Sequence, residues 1–218
     1  MHTNVNLAAP LGALAFLGTG FILLLAAILL AQSLIVRKMG RARLVIAVMV
    51  IIAVAYFGVM LIFSLRSRDQ LLARGEEKHF CELDCHLAYS VVNIAQAKTL
   101  GEGATQNQAR NQFTIITIKT RFDETTVGPR RGDSLLYPNP RAFTLVDDRG
   151  RRYQLTAQSG TPATTALRPG ESYTTELAFD LPPEVKPAAL LVNESAWETH
   201  LLIGHENSPM HGQTKFQI

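Results

Sequence analysis

Charge is missing from most of the first third of the chain. Residues 11–36 (LGALAFLGTGFILLLAAILLAQSLIV) contain no Asp, Glu, Lys or Arg, and residues 44–65 (LVIAVMVIIAVAYFGVMLIFSL) contain none either. Each run meets the requirement of about 20 apolar residues for a helix crossing a hydrocarbon core about 30 Å thick. The first ten residues also lack Lys and Arg, and the first run exceeds the short apolar core of a secretory leader, so a retained anchor is expected instead of a cleaved signal. No Asp, Glu, Lys, Arg or His lies in either span, which favours hairpin packing over a transport role, with Gly18-Thr19-Gly20 and Gln32-Ser33 as small or polar contact residues.

Enzyme signatures are missing as well. There is no Ser nucleophile elbow, no phosphate-cradling glycine loop and no His-Glu-x2-His helix, and the paired carboxylates Glu82 and Asp84 have no nucleophile beside them, so the sequence points away from catalysis. The net charge is only +3. Four cations in residues 37–43 outweigh that balance, so the remainder is near neutral and nucleic-acid binding is not expected.

What is present sets a topology. Arg37-Lys38-Met39-Gly40-Arg41-Ala42-Arg43 separates the two spans, and the positive-inside rule puts this loop in the cytoplasm of a bacterial inner (plasma) membrane. The N-terminus and everything beyond the second span then face the extracytoplasmic side. The expected organisation is a transmembrane hairpin over residues 1–66, a linker with a Cys/His cluster over 67–86, its first part a helical extension or linker off the second span, and a β domain over 87–218. In that domain Glu171-Ser172-Tyr173-Thr174-Thr175-Glu176-Leu177-Ala178-Phe179-Asp180 alternates with the period of a half-buried strand. Strands are also predicted at 88–96, 112–121, 142–146, 152–156, 188–193, 201–204 and 214–218, with Asp147-Asp148-Arg149-Gly150 as a hairpin turn. Short strands without βαβ alternation predict an all-β immunoglobulin-like antiparallel sandwich.

FTLVDDRGRRYQLTAQ followed by LRPGESYTTELAFDLPPEVKPAALLV resembles the telokin-like, immunoglobulin-like domains of bacterial membrane-anchored exported proteins. The resemblance covers residues 88–218 and implies a binding or scaffold module; a non-catalytic scaffold subunit of a membrane complex, its hairpin docked against other helices, is accordingly one reading of the whole chain. The layout of a two-helix hairpin leading into an extracytoplasmic β domain is also similar to subunit II of haem-copper oxidases. Here, however, Glu82 follows Cys81 directly and the cluster precedes the β domain.

Both cysteines of the chain lie in His79-Phe80-Cys81-Glu82-Leu83-Asp84-Cys85-His86. Three readings stay open. Paired thiolates with imidazole or thioether select soft ions such as Cu(I), which makes Cys81, Cys85 and His86 a candidate metal site, completed by His205, Met210 and His211 of GHENSPMHG, with His79 a further ligand or a solvated linker residue. The Cys-x3-Cys spacing resembles copper-delivery proteins that assemble oxidase. Outside the cytoplasm the pair could instead form a Cys81–Cys85 disulfide, whose small loop would add little stability but could exchange thiols. Covalent haem c at Cys81, Cys85 and His86 is the third, although the spacing is one residue longer than Cys-x2-Cys-His.

Overall fold

The computed structural model describes residues 2–5, 9–80, 86–101, 106–126 and 132–218. They divide into two compact units: a β-sandwich formed by residues 1–6, 69–196 and 213–218, and a helical unit formed by residues 7–68 and 197–212.

The sandwich has two sheets. The larger has strand order β1-β3-β4-β5-β9-β8 and the smaller β2-β11-β10-β6-β7. Their ranges are β1 His2–Val5, β2 Gln70–Leu72, β3 Glu77–Phe80, β4 Leu87–Leu100, β5 Asn107–Phe122, β6 Arg141–Asp147, β7 Arg152–Gln154, β8 Ala157–Gly160, β9 Ser172–Leu181, β10 Pro187–Glu194 and β11 Thr214–Gln217. Neighbours run antiparallel except β1 with β3 and β2 with β11. The long pair β4/β5 and the β5/β9 pair form the centre of the larger sheet. Alternation decides which side chains meet the other sheet: Thr175, Leu177, Phe179 and Leu181 of β9 are buried, as a strand of period two requires. The three apolar members join Tyr89, Ile116, Ile118, Leu145, Leu190 and Phe216 in one core between the sheets. A small second cluster, Leu100, Phe113 and Ala178, also lies on strands of the larger sheet.

The Asp147-Asp148-Arg149-Gly150 turn closes β6 onto β7 as expected. Its mechanism is local: the Asp147 carboxylate accepts the Arg149 and Arg151 backbone N–H groups at 2.9 and 2.8 Å, and Gly150 takes a φ of 78°.

Two expectations about boundaries are corrected. Residues 67–86 are more than a linker, and no helix extends into their described part: Ser67 takes extended backbone angles and its hydroxyl donates to the Ser64 carbonyl at 2.5 Å, which stops the second helix at Arg66. The chain then supplies β2 and β3, one to each sheet. Residues 201–204 form no strand; Trp197–Leu201 is a 3-10 helix and belongs to the helical unit. Its turn-forming polar contacts, described below, compete successfully with the short aliphatic run.

The helical unit contains α1 (Ala9–Ile35) and α2 (Met39–Arg66), joined by a tight turn in which Arg37 has a φ of 56°. Both are long and apolar enough to cross a membrane. Leu14, Phe21, Ile51 and Val54, among many others, are exposed, so apolar side chains face outward around the pair. A helix that is hydrophobic all round is suited to a lipid environment. Ser33, Ala42, Met60 and Ser64 are buried, and the Ser33 hydroxyl returns to the Leu29 carbonyl at 2.7 Å. Gly18 and Gly20, expected at a close helix contact, face open space instead.

Candidate functional site

Side chains of β3 separate by alternation into two chemically different faces. Lys78 and Phe80 point into the sandwich. The Lys78 ammonium donates to the carbonyls of Val192 at 2.6 Å and Thr214 at 2.9 Å, linking the larger sheet to β10 and β11 of the smaller. Phe80 meets Tyr89 edge to face at 5.4 Å, and the Arg141 guanidinium lies 4.1 Å from the Phe80 ring centre. These are interactions of a cross-braced core.

Glu77 and His79 alternate with them on the other face, and the pairing of β3, β4 and β5 places Arg121 in register with them: His79 is opposite Ala88, which is opposite Arg121. Arg121 grips Glu77 with two parallel bonds, Nε to Oε1 and Nη2 to Oε2, both 2.8 Å, and its Nη1 is 3.3 Å from Asp123 Oδ1. His79 Nε2 lies 2.9 Å from Asp123 Oδ2 and 3.9 Å from Glu77 Oε2. The Thr125 backbone N–H and hydroxyl donate to Asp123 Oδ1 at 3.1 and 2.7 Å. Burial pushes the Asp123 carboxyl up, but bonds from Thr125, His79 and Arg121 outweigh it and hold the group well below the usual carboxylate range. Bonding to Glu77 raises Arg121 against the opposing effect of burial.

One ligand atom each from Glu77, His79 and Asp123 lies within 4.8 Å of the others, a spacing that a metal ion could use. The donor set argues for a different role. Arg121 already supplies positive charge to both carboxylates, so a divalent ion would have to displace a bidentate guanidinium and the His79–Asp123 bond. The arrangement is therefore a charge-assisted network binding the end of β5 to β3.

His86 follows on directly. Its carbonyl accepts the Asp123 N–H at 2.7 Å, and its ring stacks on Phe122 with centres 5.4 Å apart. Cys81 and Cys85, the centre of the expected metal, disulfide or haem site, lie outside the described residues. His79 is not a solvated linker residue: it is 2% exposed and part of a paired strand. Sequence reasoning missed Glu77, Arg121 and Asp123. The only available signal was the alternation of EKHF, too short to separate from a linker before its pairing with β4 is known.

The other expected ligands, His205, Met210 and His211, belong to the helical unit. His205 is buried and its Nδ1 accepts the Asn207 N–H at 3.0 Å. His211 Nδ1 is 2.8 Å from the Gly212 carbonyl. Met210 is 76% exposed and has a φ of 63°. His200, expected at the edge of a strand, lies exposed in the 3-10 helix with Nδ1 3.1 Å from the Trp197 carbonyl.

The sequence matches no protein-family model and no curated protein. Among solved structures the chain is similar to MPT63, a secreted protein of Mycobacterium tuberculosis, at 14% identity and a TM-score of 0.43, over 70% of this chain and 99% of that one. It is also similar to an uncharacterised β-sandwich protein from Clostridium difficile 630, at 10% identity and a TM-score of 0.42, over 70% and 96% of the two chains. Likeness at this level describes two other proteins, and the functional reading rests on the residues of this chain.

Proposed function

We propose that the chain is a membrane-anchored, non-catalytic module: an extracytoplasmic β-sandwich held at the bacterial plasma membrane by a two-helix hairpin and serving as an accessory subunit of a membrane complex. The observation that carries it is the exposure of apolar side chains around both α1 and α2, together with the four cations confined to residues 37–43. Water would penalise that surface, whereas a bilayer accepts it. The internal pairing of Glu77, His79, Arg121 and Asp123 supports a structural use of the polar cluster described at β3. Alkaline carbonate extraction and reporter fusions test the reading. The full chain is expected to stay in the pellet, with a C-terminal alkaline phosphatase active and a fluorescent protein inserted in residues 37–43 bright; extraction into the supernatant would overturn it.

A second reading has its own observation. Both cysteines of the chain stand within the eight residues from His79 to His86, with a histidine at each end. That concentration of soft ligands supports Cu(I) binding or thiol exchange through Cys81 and Cys85, with His86 as a third donor. Copper loading of the reduced full chain in detergent separates the readings. Stoichiometric Cu(I) that disappears in the Cys81→Ser/Cys85→Ser variant supports the metal site, and no retained copper in the native chain rules it out.

A further inference from the structure

We infer that residues 197–203 enter the extracytoplasmic leaflet of the bilayer against the hairpin, as a re-entrant segment that adds a third membrane contact to the two spans. The inference rests on the reading of α1 and α2 as membrane-spanning.

Two contacts set the level of the segment. The Tyr56 hydroxyl donates to the Leu201 carbonyl at 2.7 Å. Tyr56 lies inside the uncharged run of α2, about ten residues before Arg66, or roughly 15 Å along the helix axis. On the other helix, Gly12 meets the backbone of Ile203 so closely that a Cβ there would come 2.5 Å from the Ile203 oxygen. A recess of about 120 Å³ between Phe16, Leu23, Phe57 and Leu201 lies beside these contacts. If the hairpin spans the membrane, Leu201 lies at a depth where only hydrocarbon or protein can surround it.

Irregular backbone at that depth must satisfy its polar groups within the protein. Partners for several groups of the segment, and for the loop that follows it, come from within the same unit. Leu202 N–H donates to the Thr199 carbonyl at 3.4 Å, His205 N–H to Leu202 at 3.3 Å, Ser208 N–H to His205 at 2.9 Å and His211 N–H to Ser208 at 3.1 Å. Side chains add to the set: Asn207 Nδ2 donates to Thr199 Oγ1 at 2.8 Å, the Ser208 hydroxyl donates to the Leu202 carbonyl, and Gly212 N–H donates to the Ser67 hydroxyl at 2.6 Å. Residues 205–208 are polar and buried, an inversion of the usual loop pattern that exposes polar side chains to water. What the segment presents outward is Trp197, 65% exposed, with the half-buried Leu201, Leu202 and Ile203 following it. Trp is favoured at the boundary of headgroup and acyl chain, where the exposed Glu198 and His200 can reach the headgroups.

Trp197 is the only tryptophan in the chain, so the native protein carries its own probe. The full chain would be reconstituted into phosphatidylcholine/phosphatidylglycerol vesicles with and without brominated acyl chains. The inference expects blue-shifted Trp197 emission, loss of most of that emission in brominated vesicles and poor quenching by aqueous acrylamide. Emission typical of water, insensitive to the bromines and quenched by acrylamide, would overturn it. A Trp197→Phe/Phe21→Trp variant moves the probe onto α1. Bromine quenching in that variant, without quenching of Trp197 in the native chain, defeats this inference alone, whereas no quenching in the variant defeats the membrane-spanning reading on which the inference depends.

Discussion

Asp123 shows how much a single residue can hold. Its two carboxylate oxygens receive Thr125, Arg121 and His79, so the 121–125 stretch and β3 are joined at one buried charge. Because its folded pKa is depressed, the unfolded chain binds its proton first, near the ordinary Asp value of about 3.9. The stabilisation is therefore complete above that value and is lost as pH falls toward the lower folded pKa. Asp123→Asn keeps the shape but leaves Arg121 and His79 facing a neutral amide. We expect it to cost about 1–3 kcal/mol near neutral pH and the gap to native protein to narrow on acidification. Hydrogen-exchange protection of the β4 and β5 amides in the full chain, compared between neutral and acid pH, measures both. A gap that stays constant or widens would show that Asp123 is not the linked group. None of this could be read from the sequence, since Asp123 and His79 are separated by 44 positions and only sheet register brings them together.

At the scale of elements, periodicity was legible where a long strand buries one face, and not in β4 or β10, whose buried residues run consecutively. The ten residues of β9 alternate through a full set of core contacts, and the Asp147 turn has a local chemistry that requires no tertiary context. The three residues of β2 and four of β3 are too short for a period, and parallel pairing of β2 with β11 joins positions far apart in the chain. The 3-10 segment at Trp197–Leu201 fails differently: its aliphatic residues suggest a strand, but their partners are α1 and α2. Gly12 is the critical position in that contact. Gly12→Ala places a methyl group against the Ile203 oxygen at less than contact distance, so the segment must move. Crowding of this kind costs about 1–3 kcal/mol. The expected readout is a red shift of Trp197 emission in vesicles, with α1 and α2 still resistant to carbonate extraction; unchanged emission would mean that the close approach at Gly12 does not position the segment.

For the whole molecule, the proposed orientation depends on few charges. Between the two uncharged runs stand Arg37 and Lys38 in the turn and Arg41 and Arg43 in the first turns of α2, while Arg66 and Arg68 flank the opposite end of α2. Cations near the ends of the spans set topology, and the four-to-two difference favours the sandwich outside. Each charge moved against a membrane potential costs about 2.3 kcal/mol per 100 mV, so a bias of a few residues is sufficient and also reversible. Replacing all four loop cations with Gln leaves Arg66 and Arg68 as the dominant pair. The expected result is a mixed or inverted population: the C-terminal alkaline phosphatase loses activity and a C-terminal fluorescent protein gains it. Adding Arg66→Gln and Arg68→Gln to that variant removes the competing bias and should restore part of the original activity. If the quadruple variant keeps the native orientation, folding of the exported sandwich, and not the loop charge, determines the side on which it resides. The two outcomes assign control of topology to different parts of the chain, the 37–43 loop or residues 69–196, whose strands must pair with β11 at the far end of the sequence to complete the smaller sheet.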